Sequence, residues 1–252
     1  MSEQNKQVHE AADGDRRDFL KVGVGLAGVA LAPGVLFYGI SAHGKAPDAP
    51  ASTAVRWGML IDTGKCADGC NSCTTACATE NGLSGQTGPQ DSQWIRKMHI
   101  KNLQTGAEHN LPMLCQHCEN PPCVDVCPTG ASMKRADGIV LVDRHICIGC
   151  RYCMMACPYK ARSFVHEPLT DQNPEVPRGQ GCVESCTFCV QRVDRDETPA
   201  CVEACSKDGH MAMMFGDLKD PNSDIARAMQ SYATTEVRAD LGLNTGVRYQ
   251  GI

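Results

Sequence analysis

Aromatic side chains are scarce in this sequence, since Phe, Trp and Tyr together account for only 5% of its 252 residues. Apolar burial alone would therefore build a thin core. Strong net charge is also lacking: the formal value of −5 at pH 7 gives no support for nucleic-acid binding. The sequence has no glycine-rich phosphate loop after a strand, no nucleophile elbow and no Cys-x-x-Cys-His haem motif. The fold must depend on something besides apolar packing.

Cysteine, in contrast, is abundant, with 17 residues. The most regular stretch is CIGCRYCMMACP, from Cys147 to Pro158, which spaces its cysteines as C-x2-C-x2-C-x3-C and follows the last with proline. This is the spacing with which bacterial ferredoxins hold a 4Fe-4S cluster, the fourth cysteine ligating a second cluster. The stretch therefore predicts one cluster here and another nearby.

Three further groups of four cysteines repeat this pattern with modified gaps. In the first group an extra residue lies in the opening gap, where the turn-forming pair Asp68 and Gly69 can absorb it. The second group ends in Cys-Pro, and the fourth has a long central gap. The four groups, in sequence order, are Cys66, Cys70, Cys73 and Cys77; Cys115, Cys118, Cys123 and Cys127; Cys147, Cys150, Cys153 and Cys157; and Cys186, Cys189, Cys201 and Cys205.

Disulfides and zinc are the alternatives to clusters. An odd number of cysteines cannot all pair, and four groups of four with one remainder divide the count better than eight bridges. Zinc sites typically use two Cys-x2-Cys knuckles each. Three near cysteines and one distant one, repeated four times, are typical of cubane clusters. The pattern favours four 4Fe-4S clusters over both alternatives.

The quasi-repeat also predicts which cysteines share a cluster. The last cysteine of each group lies about one helical turn past its neighbour, so it points away from its own loop and can reach the partner group. We expect the second and third groups to exchange fourth ligands, and the first and fourth groups to do the same. The predicted sets are Cys66, Cys70, Cys73 and Cys205; Cys186, Cys189, Cys201 and Cys77; Cys115, Cys118, Cys123 and Cys157; and Cys147, Cys150, Cys153 and Cys127.

This pairing predicts an α+β fold in which one two-cluster, bacterial-ferredoxin-like unit of βαβ type is interleaved with another. The expected four-cluster domain spans residues 55–216, with the inner unit at about 111–168 and a C-terminal helix and tail at 217–252. Periodicity predicts strands at 55–61, 94–100 and 162–166, a hairpin of 132–135 with 139–142, and helices at 73–80 and 224–238. The tail from Leu241 onward shows no readable period.

Four other residues need an interpretation. Cys182 is the seventeenth cysteine, and we expect a free or buried thiol; the alternative is that it replaces Cys186, because CVESCTFC copies the spacing of CADGCNSC. His117 lies inside the second cysteine loop, which already has four thiols, so a surface or hydrogen-bonding role is expected. Met154 and Met155 are expected to pack against a cluster as an apolar shield.

The N-terminal segment is typical of an export signal. Residues 15–21 read DRRDFLK and precede a glycine-rich apolar run to about Ile40, which predicts a twin-arginine signal over 1–42, cut after Ala42 or Ala46. The alternative is a retained membrane anchor. Residues 43–54 then form a linker. Twin-arginine export carries folded proteins, so clusters could be inserted before the chain reaches the periplasmic side of the membrane.

These motifs give the sequence a resemblance to a known family, the exported four-cluster ferredoxin-like subunits of membrane-bound respiratory oxidoreductases. The resemblance covers residues 55–216, through LCQHCENPPCVDVCPTGA, DRHICIGCRYCMMACPYKARSF and CTFCVQRVDRDETPACVEAC. Within it, WGMLIDTGKCADGCNSC, FGDLKDPNS and LGLNTGVRYQGI are most similar to the DsrO family, periplasmic subunits of the DsrMKJOP complex of dissimilatory sulfur metabolism. The longer first gap and Cys182 depart from the general pattern.

The resemblance implies a non-catalytic subunit that relays single electrons. Its expected partners are a polytopic, quinone-interacting membrane subunit like DsrP and a multihaem cytochrome c like DsrJ, and the direction of flow is left open. Two alternatives remain: an iron–sulfur subunit of a molybdopterin reductase or nitrite-reducing system, and a structural or sensing iron–sulfur protein.

Overall fold

Short strands and short helices alternate along the sequence in a computed structural model that describes residues 50–83, 88, 90–170 and 172–252. The strands are β1 (Trp57–Asp62), β2 (Ile95–Lys101), β3 (Glu108–Leu114), β4 (Ser132–Lys134), β5 (Val140–Val142), β6 (Ser163–Phe164), β7 (Val183–Glu184), β8 (Met213–Asp217) and β9 (Val247–Gln250). The helices are α1 (Ser72–Glu80), α2 (Pro122–Asp125), α3 (Tyr152–Ala156), α4 (Val190–Val193), α5 (Ala200–Lys207) and α6 (Asp224–Ser231). This mixture agrees with the predicted α+β class. The predicted signal at 1–42 and most of the predicted linker at 43–54 lie outside the described residues.

The largest sheet has three strands in the order β8, β1, β9, with β1 antiparallel to β8 and parallel to β9. Met59, Leu60 and Ile61 are all buried. β1 confirms the strand predicted at 55–61, and its central position explains why both of its faces are covered. Trp57, at the start of β1, is half-buried and stacks on Phe215 with ring centroids 5.3 Å apart.

Three further pairs of antiparallel strands accompany this sheet: β2 with β3, β4 with β5, and β6 with β7. The β4–β5 hairpin confirms the hairpin predicted around Gly138, which has a φ of 87°. β2 confirms the strand expected at 94–100, while β6 keeps only two residues of the strand expected at 162–166.

The predicted helices are present, with one shortened. α1 ends at Glu80, where Asn81 caps it and Gly82 takes a φ of 65°. α6 begins after Ser223, whose hydroxyl accepts from the Ala226 N–H at 3.2 Å, but it ends at Ser231 rather than 238. Within the described residues, no helix has both the length and the apolar character needed to cross a membrane.

Four strands escaped prediction: β3, β7, β8 and β9. β9 lies in the tail that shows no period, and pairing with β1 makes it a strand. Its Tyr249 is fully buried; the Tyr249 hydroxyl donates to the Pro112 carbonyl at 3.1 Å and accepts from the Gln116 amide at 3.1 Å. The C-terminal tail therefore contributes to the buried core of the protein.

Candidate iron–sulfur centres

Fifteen of the sixteen cysteines lie near the other members of the sets that the quasi-repeat predicts. Cys150 is assigned to its set by its spacing from Cys147 and Cys153. We name the sets by their residues: site A has Cys66, Cys70, Cys73 and Cys205; site B has Cys77, Cys186, Cys189 and Cys201; site C has Cys115, Cys118, Cys123 and Cys157; and site D has Cys127, Cys147, Cys150 and Cys153. That each set ligates a cluster stays a prediction.

Site A lies where the N-terminal half of α1 packs against α5. Its four cysteines line a small cavity of about 20 Å³ together with Pro112, His210 and Met213. Burial is the main reason why the pKa of Cys73 rises to about 11, and the charges of Cys66, Cys205 and Cys70 add to it. A hydrogen bond with the Ser72 hydroxyl lowers the pKa of Cys70, the thiol nearer to solvent.

Site B lies deeper, with all four of its cysteines buried. Cys77 comes from α1 and Cys201 from α5, while Cys186 and Cys189 come from the loop before α4. Burial raises the pKa of Cys186 well above its usual value, and the charges of Cys77, Cys201 and Cys189 reinforce this. The charge of Cys73 likewise raises the pKa of Cys201, so sites A and B are neighbours.

Site C is formed by the loop after β3, by α2 and by the end of α3, and its cysteines are also buried. Burial raises the pKa of Cys118 to about 12, with the charges of Cys115, Cys123 and Cys157 adding to the shift. Proline at the start of α2 leaves no N–H unpaired at that position. Cys115, Cys118 and Cys123 come from one segment, and the β4–β5 hairpin lies between that segment and Cys157 in the sequence. The four thiols nevertheless lie close together in the structure.

Site D is the most exposed of the four sites. Cys150 is solvent-exposed, and Cys127 and Cys147 are only partly covered. Burial raises the pKa of Cys153, and the charges of Cys127 and Cys147 contribute, while Arg162 opposes the shift. Gly149 has a φ of 67°, and a Cβ there would lie 2.3 Å from the Gly181 carbonyl oxygen. Only glycine allows this close approach between the two loops.

Site C interacts with site D, and two further contacts join these sites to the part of the protein that holds sites A and B. Cys123 of site C and Cys153 of site D influence each other electrostatically, so these sites are neighbours. The ring of His117, from the site C loop, stacks on Phe188, from the site B loop, with centroids 3.6 Å apart. Arg135, after β4, makes a bidentate ion pair with Asp194, after α4, at 2.7 and 2.8 Å. The last two contacts hold the segments of sites C and D against those of sites A and B.

Backbone and side-chain N–H groups point at several of the sulfur atoms. The Ser132 N–H donates to Cys127 Sγ at 3.3 Å, the Ala212 N–H to Cys205 Sγ at 3.3 Å, and Arg162 Nη2 to Cys123 Sγ at 3.1 Å. Such bonds stabilise the thiolate form and adjust the reduction potential of a ligated iron centre.

Other buried donors beside the sites have no partner within the described residues. They are His117 Nε2, the Ser132, Tyr159 and Thr187 hydroxyls, and Arg162 Nε and Nη1. A buried donor without an acceptor is destabilising. Cluster sulfur accepts hydrogen bonds of this kind, so these residues fit a 4Fe-4S group at sites B, C and D.

The disulfide and zinc alternatives fit less well. All 17 cysteines lie in the described residues and are free thiols. Within those residues, no three or more His, Cys, Asp or Glu side chains are arranged to hold a single metal ion. Four thiolates around a cubane each bind a different iron, so they stand further apart than four thiolates around one zinc. The arrangement favours clusters.

Cys182 is buried and lies beside site D, not site B. Its thiol donates to the Arg144 carbonyl at 3.4 Å, and the charge of Cys147 adds to the burial that raises its pKa. Cys186, in contrast, is surrounded by the other three thiols of site B. The geometry therefore supports a free buried thiol at Cys182 and gives no support for its replacing Cys186.

Two other expectations need correction. His117 is fully buried rather than on the surface, and its Nδ1 accepts from the Val140 N–H at 3.0 Å, so the hydrogen-bonding part of its expected role holds. Burial lowers the pKa of His117 to about 3.

Met154 packs against the core, but Met155 is 77% exposed because α3 presents it to solvent. Arg162 was not singled out from the sequence, although it follows Cys157 by only a few residues.

Comparisons with known proteins agree with iron–sulfur centres in this protein. A family model described as a 4Fe-4S dicluster domain matches residues 108–218. The sequence is 40% identical to the Hdr-like menaquinol oxidoreductase iron–sulfur subunit 1 of Archaeoglobus fulgidus, over 93% of this chain and 97% of that protein. It is 37% identical to a tetrathionate reductase subunit of Salmonella typhimurium, over 95% of this chain and 89% of that protein. A polysulfide reductase protein of Wolinella succinogenes is 36% identical, over 75% of this chain and 91% of its own length.

Proposed function

Because this protein belongs to the 4Fe-4S dicluster family of oxidoreductase iron–sulfur subunits, we propose that it relays single electrons through four 4Fe-4S clusters. Each site would hold its cluster by the four thiolates named above, in two interleaved ferredoxin-like units. When bound, each cluster supplies a one-electron redox centre. The protein residues position the thiolates, donate hydrogen bonds to sulfur and exclude water.

The observation that carries this proposal is the succession of sites from one surface to another. Site A has partly exposed thiols, sites B and C are buried, and site D has the exposed Cys150. Neighbouring sites are linked by the charge interactions of Cys73 with Cys201 and of Cys123 with Cys153, and by the His117–Phe188 stack. A relay needs this arrangement, with protected centres between two accessible ends.

We also propose the context in which the relay works. The relatives include a subunit named for menaquinol oxidation, which supports a quinone-linked membrane complex. The segments similar to DsrO support a place in a DsrMKJOP-like complex of sulfur metabolism, between a DsrP-like membrane subunit and a DsrJ-like multihaem cytochrome. The DRRDFLK segment supports twin-arginine export to the periplasmic side of the membrane. In this role the protein would have no catalytic site of its own.

The exposed surface around site D suits a partner. Four large apolar side chains from the site D loop and α3 are exposed there: Ile146, Ile148, Tyr152 and Met155. Apolar and aromatic residues at the surface are typical of stable subunit interfaces. We therefore assign one partner of the relay to this surface, which we name the site D rim.

A second candidate is the iron–sulfur subunit of a reductase with a catalytic molybdopterin partner. Relatives named as components of tetrathionate reductase and of polysulfide reductase favour it. The relay chemistry of this protein would be the same, so the partner alone separates the two candidates.

Affinity purification of the full-length protein from solubilised membranes tests both candidates. A polytopic membrane protein and a multihaem cytochrome in the eluate would support the Dsr-like complex, whereas a molybdopterin-containing catalytic subunit would support the second. Iron analysis and potentiometric EPR of the same sample test the relay itself. Fewer than four clusters, or clusters that do not change oxidation state, would contradict it.

A further inference from the structure

Arg162 is a buried cation in the space shared by sites C and D. It lies between α3 and β6, shortly after Cys157, and is only 5% exposed. Its Nη2 donates to Cys123 Sγ of site C at 3.1 Å, and its charge also interacts with Cys153 of site D. One guanidinium thus interacts with both sites of the inner ferredoxin-like unit.

The charged guanidinium of Arg162 interacts mainly with thiols. Although burial lowers the pKa of Arg162, the charges of Cys123, Cys115 and Cys153 outweigh it and raise that pKa. Among the described residues, its hydrogen bonds and charge interactions involve no carboxylate. The buried Arg178, in contrast, makes an ion pair with Glu184 at 2.7 Å. A buried cation without a carboxylate is stable only beside another source of negative charge.

The two halves of the inner unit differ at this position. Cys127 is followed by Pro-Thr-Gly-Ala-Ser, and Cys157 by Pro-Tyr-Lys-Ala-Arg. The third residue after each proline-linked cysteine takes the left-handed conformation, with a φ of 70° at Gly130 and 50° at Lys160. The backbones therefore follow related paths, and Arg162 occupies the place that neutral Ser132 has in the other half. The cation is an addition to one half of a repeat, not a requirement of its backbone.

A ligated cluster becomes more negative by one charge when it is reduced. A fixed positive charge at short range in a low-dielectric site stabilises the more negative state. Three of the five Arg162 N–H groups are on Nε and Nη1, and these two nitrogens have no partner within the described residues. They are available to sulfur atoms other than the one at Cys123.

We propose that Arg162 is a potential-setting residue that raises the reduction potentials of the clusters in sites C and D above the values that their thiols alone would give. This inference rests on the proposed relay. We expect the inner unit to be the favoured resting place of an electron. Near site A, the partly buried Lys97 also acts on the thiols by its charge, but it donates to the Ala67 and Cys70 carbonyls instead of to a sulfur atom.

The test is a potentiometric EPR titration of the full-length, cluster-loaded protein with three variants at one position. Arg162→Lys keeps the charge, Arg162→Gln keeps an N–H donor without the charge, and Arg162→Met keeps neither. Signals of sites C and D are assigned by their loss in Cys118→Ser and Cys150→Ser. Arg96→Met is the matched control, since Arg96 lines the same cleft as Arg162 but donates to the Tyr159 carbonyl at 2.8 Å instead of a thiol.

We expect Arg162→Met and Arg162→Gln to lower the potentials of sites C and D, Arg162→Lys to lower them less, and Arg96→Met to leave all four unchanged. Iron-replete neutral variants with unshifted potentials, or with equal shifts at sites A and B, would overturn the inference. If the neutral variants lose iron, the Arg162→Lys variant tests the inference. Full iron content and near-wild-type potentials in Arg162→Lys would support the role of charge, and loss of iron from Arg162→Lys would contradict it. Wild-type protein without four clusters would refute the relay itself.

Discussion

At the residue scale, the sixteen thiols differ in what contacts them. Asn81 Nδ2 lies 3.6 Å from Cys77 Sγ and 3.9 Å from Cys189 Sγ, so one amide serves two thiols of site B. Site C has the Arg162 guanidinium, and Cys70 of site A has the Ser72 hydroxyl. Because hydrogen bonds and charge near sulfur set the potential of an iron–sulfur centre, clusters bound at the four proposed sites would have four different potentials.

Cys147 and Cys182 form a matched pair for testing ligation. Their side chains are neighbours, but only Cys147 belongs to a four-thiol site. We expect Cys147→Ala to lose about one quarter of the iron, as one cluster of four fails to form, and to lower the thermal midpoint by weakening site C next to it. Iron content per molecule and cluster absorbance during heating provide the measurement.

Cys182→Ala is the control for this experiment and should retain all of the iron. Unchanged iron and an unchanged melting curve in Cys147→Ala would show that site D is not a cluster site. Loss of iron in Cys182→Ala would instead make the seventeenth cysteine a ligand, contrary to the role that its position beside Arg144 and Cys147 supports.

The difference between Cys182 and Cys186 shows the limit of spacing as evidence. CVESCTFC and CADGCNSC have the same gaps, so sequence alone leaves either cysteine as a candidate ligand. In the structure β7 begins directly after Cys182, and this strand leads from site D to site B. The choice depends on long-range contacts, which local spacing does not contain.

At the scale of elements, β9 is a strand that sequence reasoning missed entirely. Its residues alternate between full burial at Val247 and Tyr249 and partial burial at Arg248 and Gln250. Four residues are too few for a reliable period. β9 exists because β1 offers a free parallel edge and because Tyr249 finds hydrogen-bond partners near site C.

We expect Tyr249→Ala to destabilise the folded unit strongly. Replacing a fully buried aromatic side chain with alanine costs about 3–5 kcal/mol, and the Gln116 amide would also lose a partner. Tyr232→Ala, at a position that is 56% exposed, serves as the control and should change stability by less than about 0.5 kcal/mol. Thermal unfolding of the loaded protein measures both, and equal midpoints would refute a structural role for β9.

The elements that sequence reasoning did locate are those with local causes. α1 is bounded by the cysteine loop before it and by Asn81 and Gly82 after it, and the β4–β5 hairpin turns at Gly138. Turn-forming and capping residues act within a few positions of themselves. The end of α6 at Ser231 was misjudged because the apolar positions continue past the point at which the helix stops.

At the scale of the whole molecule, cysteine replaces much of the missing aromatic core. Twelve of the cysteines are buried, and most belong to the main cluster of buried residues together with Met59, Leu114 and Tyr249. In the proposed loaded protein, iron–thiolate bonds would cross-link segments distant in sequence, such as Cys77 and Cys201. Folding and cluster insertion are then coupled.

The exposed ends of the relay predict where partners bind. We expect Ile148→Asp, in the site D rim, to weaken co-purification of one partner, because it places a charge in an apolar contact that excludes water. Leu103→Asp is the matched control, since Leu103 is 93% exposed at the tip between β2 and β3, away from the cysteine loops.

The measurement is the recovery of each partner from solubilised membranes, normalised to the iron content of the purified protein. Equal recovery with Ile148→Asp and wild type would exclude the site D rim as an interface. A loss with Leu103→Asp alone would move the interface to the β2–β3 hairpin.

The sequence by itself determined the four cysteine groups, the likeness to ferredoxins and the α+β class, because cluster-binding loops bring most of their ligands together within a few residues of one another. Only the tertiary structure decided which thiols are protected and which are exposed, where Cys182 and His117 lie, and that Arg162 stands between sites C and D. These features arise from contacts between residues far apart in the sequence, such as Arg162 with Cys123 and β9 with β1. Tertiary packing determines which residues make these contacts, and the local spacing of residues in the sequence does not reveal them.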